Sequence, residues 1–163
     1  MEQVILRTEG VTRIFRSGGG EVRALSDVSI SVPQRALTVL RGRSGSGKTT
    51  LLNILSGLDL PNAGKVFYGD TEITALSERQ RDKLRGKEMG FVFQAVALMP
   101  DMTALENVEY GLRIAGQSSY KNRKSVEKYL KEIGLEKRMH HAAHMLSGGE
   151  QQRVAIVRGF AHG

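Results

Sequence analysis

The sequence predicts an α/β fold laid out in three consecutive stretches: strand-rich, then alternating strand and helix, then mainly helical. Three observations carry this. The first third holds short apolar runs separated by turn residues: Val4-Ile5-Leu6, Val11 to Phe15, Val22 to Leu25 and Val28 to Val32. A continuous apolar run, Leu37-Thr38-Val39-Leu40, is followed by a glycine-rich loop and then by a helix-patterned stretch. The stretch from residue 95 onward contains two helix-opening signals, Thr103-x-x-Glu106 and Ser147-x-x-Glu150.

Thr8-Glu9-Gly10 reads as a break between the first two strands, and Ser17 to Gly20 as a turn into the third. Leu37 to Leu40 reads as a buried parallel strand, since a strand covered on both faces needs no polar alternation. Lys48 to Leu55 follows as a helix with Leu51, Leu52, Ile54 and Leu55 on its apolar face. After a turn around Pro61 comes a strand from Lys65 to Tyr68. Ser77-x-x-Gln80 opens a polar helix, and Met89 to Gln94 (MGFVFQ) returns to a strand. Three further helices are expected: Thr103 towards Ile114, Val126 to Ile133 ending at Gly134, and Gly148 to Ala161. The chain then reads as one domain: an antiparallel β region (1–35 and 63–75), a loop-bearing core (36–62 and 76–94) and a helical part (95–163).

Composition sets the bounds. At 163 residues, 40% hydrophobic and 25% charged, the chain can bury a hydrophobic core without cross-links. It has no cysteine, which removes disulfides and thiolate chemistry. No apolar run approaches the roughly 20 residues of a spanning helix, and the N-terminus MEQVILRTEG does not read as a signal peptide. The net charge of +7 fits nucleic acid, an anionic membrane surface, or a phosphate-rich ligand with an acidic partner. Aromatics are 6% and not interleaved with lysines, which gives little support to a stacking platform for single strands.

Gly42-Arg43-Ser44-Gly45-Ser46-Gly47-Lys48-Thr49 satisfies G-x-x-x-x-G-K-[ST] between a strand signal and a helix signal. Glycines let successive N–H groups curl around a phosphate, and the following helix offers its free N-terminal amides, including that of Thr50. Lys48 is expected to reach the β- and γ-phosphates of ATP and the Thr49 hydroxyl to bind Mg²⁺. Downstream, Ser147-Gly148-Gly149-Glu150 is a capping box whose two glycines weaken the first turn while baring its amides. That makes a second candidate anion site.

A phosphate loop, then MGFVFQ, then LSGGEQQRVAI resembles the nucleotide-binding domain of ABC transporters, and LSGLDLPNAGKVFYGD with TALENVEYGL resembles its lipoprotein-releasing and macrolide-exporting subgroup. The resemblance covers Val4 to His162 and implies a P-loop NTPase fold of the ABC ATPase type. It implies that Gln94 contacts Mg²⁺ or the attacking water, and that Ser147, Gly148 and Gly149 grip the γ-phosphate of ATP held by a second subunit in a head-to-tail dimer. Phe15 falls where the family stacks an aromatic on adenine; a strand-core role is the alternative. Leu98 to Val108 matches the surface that docks a helix of transmembrane permease subunits, which would place the protein at the cytoplasmic face of the cell membrane. His140, His141 and His144 read as a solvated loop, and the family's frequent basic-Pro pair before the signature is replaced near Ala142-Ala143.

The family also uses an apolar strand ending in Asp-Glu and, beyond it, a switch histidine. Leu37–Leu40 ends in Arg41, Met89–Phe93 ends in Gln94, and His162 is too near the signature for the switch role. The expectation is a domain lacking its C-terminal catalytic half, competent at most to bind nucleotide, with apolar flanks exposed. Two rivals stand beside the transporter reading: an ABC-type ATPase acting on nucleic acid, and a non-hydrolysing fragment. The compact interval from Thr49 to Leu146, without a coiled coil, argues against nucleic acid.

Overall fold

The computed structural model describes residues 3–161, so His162 lies outside it. Thr8-Glu9-Gly10 does not break the chain as expected: β1 runs unbroken from Val4 to Ser17. The polar residues sit at irregularities of register rather than in a turn. The Thr8 hydroxyl donates to the Val28 carbonyl at 2.9 Å and accepts from the Ile30 amide at 3.0 Å, and the Gly10 amide donates to the Ser29 hydroxyl at 2.9 Å. Side chains thus replace ladder bonds where β1 bulges. β2 (Gly20–Val28) pairs with the second half of β1 and β3 (Ser31–Pro33) with its first half. β4 (Ala63–Tyr68) lies on the other side of β1 and carries β5 (Thr71–Glu72). Every pairing is antiparallel.

The chain divides into two compact units, Met1–Asp82 and Lys83–Gly163. In the first, α1 (Lys48–Leu55) buries Leu51, Ile54 and Leu55, an i, i+3, i+4 face, together with Val11, Leu25, Val66 and Ile73. Leu52, expected on that face, is 55% exposed. The expected parallel strand at Leu37–Leu40 does not form. Leu37 is 92% and Val39 61% exposed, and no described strand flanks them. A strand of this type is stable only when both faces and both edges are covered. The exposure foreseen for these residues is therefore present, but on irregular backbone rather than on a sheet edge.

α2 (Glu78–Glu88) contains the boundary between the units. Its S-x-x-Q signal is real: the Ser77 amide and hydroxyl both donate to Gln80 Oε1, at 2.9 and 2.8 Å. Met89–Gln94 is likewise irregular where a strand was expected. Phe91 and Phe93 stack at 5.8 Å between centroids, with Val92 and Phe93 exposed.

In the second unit, α3 (Ala104–Ile114), α4 (Ser119–Glu132) and α5 (Gly148–Phe160) enclose Val108, Leu112, Val126, Leu130, Leu135 and Val154. α4 starts before Val126, because Ser118 accepts the Lys121 amide as N-cap, with Lys121, Arg123 and Lys124 exposed. Residues 139–146 are not a free loop. Thr103 bridges Ala142, the Ala104 and Leu105 amides donate to the carbonyls of His141 and Met139, and the Ala143 amide donates to that of Met102. Asn107, 1% exposed, organises the other side: its Oδ1 accepts the Met99 amide at 2.8 Å and its Nδ2 faces the carbonyls of Met99, Met102 and Thr103.

Replacing Asn107 by Ala leaves these buried groups without partners and should cost about 2–3 kcal/mol, against about 1 kcal/mol for Thr103→Ala, which loses only a cap. Urea unfolding of the two variants measures the ranking. The carboxylates of both capping boxes, Glu106 and Glu150, are held below the ordinary value, chiefly by the amides and then the hydroxyls of Thr103 and Ser147. A depressed folded pKa contributes stability above the unfolded value and loses it as pH falls through the folded one. Urea midpoints should therefore drop as pH falls below about 4.5, and the double variant Glu106→Gln, Glu150→Gln should flatten that slope.

Candidate functional site

Residues 42–50 form one turn that leads from irregular backbone into α1. Gly45 and Gly47 have φ of 78° and 86°, which a Cβ would strain. A Cβ on Gly47 would also lie 2.4 Å from the Ala24 carbonyl oxygen, so the loop is pressed against β2 at a point only glycine fits. Lys48 turns its ammonium into the loop, donating to the carbonyls of Gly42 (2.9 Å) and Arg43 (2.8 Å) and to the Ser46 hydroxyl (3.3 Å). Ser46 closes the turn through its amide to the Arg43 carbonyl at 3.2 Å.

The N-terminus of α1 has no side-chain cap. Gly47 offers no side chain, and no acidic residue occurs in the first turn, so the amides of Lys48, Thr49 and Thr50 present a partial positive charge uncompensated. Thr49 is exposed at this end, with Arg41, Arg43 and Ser44 on the adjoining loop. Backbone donors, one lysine and two arginines with no carboxylate among them fit a polyphosphate. The Thr49 hydroxyl beside them fits a hard cation carried by that phosphate.

Phe15 is not a core residue: it is 41% exposed on β1, opposite Val22. The Arg13 guanidinium lies 4.7 Å from its ring centroid and is held there by a 2.9 Å pair with Asp59. A ring fixed on one side and open on the other can stack on a planar ligand. Gln94 stands exposed in the irregular 89–98 segment.

At the start of α5, Ser147 closes a complete capping box. Its hydroxyl and amide both donate to Glu150 Oε2 at 2.8 Å, while its Oγ accepts the Glu150 amide at 3.4 Å. It does not take the amides of Gly148 or Gly149. A Cβ on Gly148 would meet nothing within 4 Å and one on Gly149 only the tip of Arg153, so packing does not demand glycine at either. What glycine supplies here is bare backbone at a positive helix end. Gln151 secures the approach by donating to the carbonyls of Ala143 and Leu146, both at 3.0 Å. His144 Nδ1 lies 2.9 Å from the Pro100 carbonyl oxygen, while His140 and His144 are exposed to solvent as expected.

Sequence reasoning brought out the loop and the signature but missed Asn107, Gln151 and Arg158. Asn107 folds the preceding turn back onto itself by satisfying carbonyls up to eight residues away, and Arg158 satisfies carbonyls 61 and 62 residues away, which no local pattern records. Gln151 was readable only as one polar residue in a polar first turn.

Comparison with known proteins agrees with this geometry. A family model described as ABC transporter matches residues 25–163. The chain is 39% identical over 162 residues to the lipoprotein-releasing system ATP-binding protein LolD of Idiomarina loihiensis, covering 99% of this chain and 71% of that protein. It is 40% identical over 158 residues to the macrolide export ATP-binding/permease protein MacB of Pectobacterium atrosepticum, covering 97% of this chain and 24% of that protein. Among solved structures, the ATP-binding cassette MJ0796, in a dimeric post-hydrolysis state bound to ADP and Pi, is similar with a TM-score of 0.88. Identity there is 36%, over 97% of this chain and 70% of the cassette. The chain belongs to the ABC transporter ATPase family.

Proposed function

We propose that residues 42–50 bind the phosphates of ATP as part of a transport ATPase of the lipoprotein-release or macrolide-export type. The observation that supports this most directly is the uncapped N-terminus of α1, with Lys48 held under the loop. Lys48 exchanges its carbonyl contacts for phosphate oxygens. Gly42, Ser44, Gly45, Ser46 and Gly47 supply the backbone cradle, with Thr49 and Thr50 at its helical end. Thr49 ligates Mg²⁺, which supplies charge neutralisation at the phosphates, and Gln94 is a second contact to the metal or the attacking water. Phe15 stacks on the adenine.

Ser147, Gly148 and Gly149 act on the ATP of a second subunit in a head-to-tail dimer, a reading supported by the dimeric state of the similar cassette. Transmembrane permease subunits are the further partner, docking at residues 98–108, and nucleic acid is not. No helix among the described residues is long and apolar enough to cross a membrane. Attachment at the cytoplasmic face through a permease is the corresponding placement. In this reading the three-part division into 1–35 with 63–75, 36–62 with 76–94, and 95–163 separates adenine contact, phosphate binding and partner contact.

Calorimetric titration of Mg-ATP tests the cradle. Lys48→Ala should weaken binding by roughly 1.5–3 kcal/mol, the value of a charge-assisted bond, with circular dichroism unchanged. Equal affinity in the two proteins would exclude the phosphate-loop reading. Ser147→Arg places a bulky cation on the open face of the signature turn. It should leave ATP binding by the single chain intact while preventing ATP-dependent association with a hydrolysis-deficient full-length relative, read by sedimentation. Loss of ATP binding by the single chain would show that Ser147 does not act across subunits.

A further inference from the structure

Near its C-terminal end, α5 is joined to the irregular segment that carries Gln94, and the joint consists of three residues. The Arg158 guanidinium donates to the Ala97 carbonyl at 2.6 Å and the Val96 carbonyl at 3.3 Å. Among the described residues no carboxylate pairs with it, so a partly buried cation is spent on two backbone acceptors. Ala97 has φ 46°, a left-handed conformation unusual for a residue with a side chain, which the two bonds hold in place.

Two glycines make the joint possible. A Cβ on Gly111 of α3 would lie 2.7 Å from Arg158 Cγ, so only glycine lets the arginine stem pass to its acceptors. A Cβ on Gly159 would lie 3.0 Å from Val92 Cγ2 and 3.2 Å from the Phe91 carbonyl oxygen, so glycine lets α5 press directly on the segment. Arg158 itself is desolvated there, which disfavours its charge. A partly buried cation without a carboxylate partner is kept where its planar fork fixes two acceptors at once.

We propose that Arg158, admitted by Gly111 and Gly159, is a positioning residue that locks the Phe91–Leu98 segment to α5, so that Gln94 and the Ser147 turn move as one piece. The functional weight of this rests on the roles proposed above for Gln94 and Ser147, but the mechanical lock does not. Arg158 touches no substrate; it acts through the backbone at 96–97. Displacement of the segment, by whatever docks on it, is passed to the signature along α5, most of whose 13 residues lie between Ser147 and Arg158.

Hydrogen exchange followed by mass spectrometry on the whole chain, without nucleotide, tests the lock. Arg158→Gln should speed exchange of peptides covering residues 92–99 by about tenfold, while the α3 and α4 core, 105–112 and 126–135, changes by less than about twofold. Arg158→Lys, which keeps the charge and can still reach one carbonyl, should recover most of the protection. Gly111→Ala leaves the charge but displaces the stem, and should reproduce the Arg158→Gln pattern. The double variant should be no worse than either alone, since both break one contact.

A rise spread evenly over the core, no rise at 92–99, or additive effects in the double variant would each overturn the proposal. If Arg158→Gln does not fold, Arg158→Lys and Gly111→Ala decide it. A parallel exchange run with Mg-ATP on the unaltered chain keeps the two readings apart. Absence of protection at 42–50 would count against nucleotide binding and leave the lock untouched.

Discussion

A helix must satisfy its first amides from its own side chains, from water, or from a ligand, and this chain divides its helices by that choice. α3 and α5 begin with complete capping boxes. α1 begins with a glycine that can offer nothing, after a loop with two further glycines, Gly42 and Gly45, and its first residue is a lysine that bonds only to its own turn. The cost of leaving those amides uncapped is about 1 kcal/mol, and it is the reason the loop can serve an anion. The rest of the first unit supports this one exposed helix end. β2 provides the surface on which Gly47 sits, and Leu51, Ile54 and Leu55 anchor the helix behind it.

What could be read in the sequence was local chemistry. Thr103, Ser147 and Ser77 each announce a helix within four residues; the first two close complete boxes, and at Ser77 the reciprocal half forms, with Gln80 Oε1 taking the Ser77 amide. The glycine loop and the span of α1 were equally plain, because φ restrictions and amphipathic spacing act within one or two turns. The segments that failed depend on partners distant in the chain. An apolar run such as Leu37–Leu40 states that it needs cover without saying what covers it, and with no described strand beside it the backbone stays irregular. Thr8-Glu9-Gly10 misled in the opposite direction. Turn-forming residues were turned into a bulge by Val28, Ser29 and Ile30, whose bonds to them come from twenty residues away. Phe15 was ambiguous for the same reason, since only the exposed ring and its Arg13 neighbour remove the core alternative.

The basic charge has a similar division. Many of the cations are already used locally: Arg123 with Glu109 and Glu127, Lys131 with Glu136, Arg81 with Glu78 and the Leu76 carbonyl. The exposed pairs among these contribute well under about 1 kcal/mol each and say little about partners, and the Arg81 head is buried against its own helix start. Arg41 and Arg43 differ because they adjoin an uncapped helix end, where their fields add to the helix dipole rather than to a carboxylate. The net +7 is therefore less informative than the position of two of its members.

The signature serine makes a more exacting demand. Its hydroxyl is already committed to Glu150, so any phosphate that draws it away removes part of the cap on α5. The turn survives such an exchange because Glu150 Oε2 also holds the Ser147 amide, and the Gln151 amide group holds the carbonyls of Ala143 and Leu146 on the approach. The serine can change partner while the backbone that presents it stays in place. Gly148 and Gly149 then add their amides with nothing in the way. The same redundancy stands at α3, where Glu106 Oε2 holds both the Thr103 amide and hydroxyl and Asn107 holds carbonyls on the approach. What sets the Ser147 turn apart is its pair of glycines, which bare the amides that a phosphate would use.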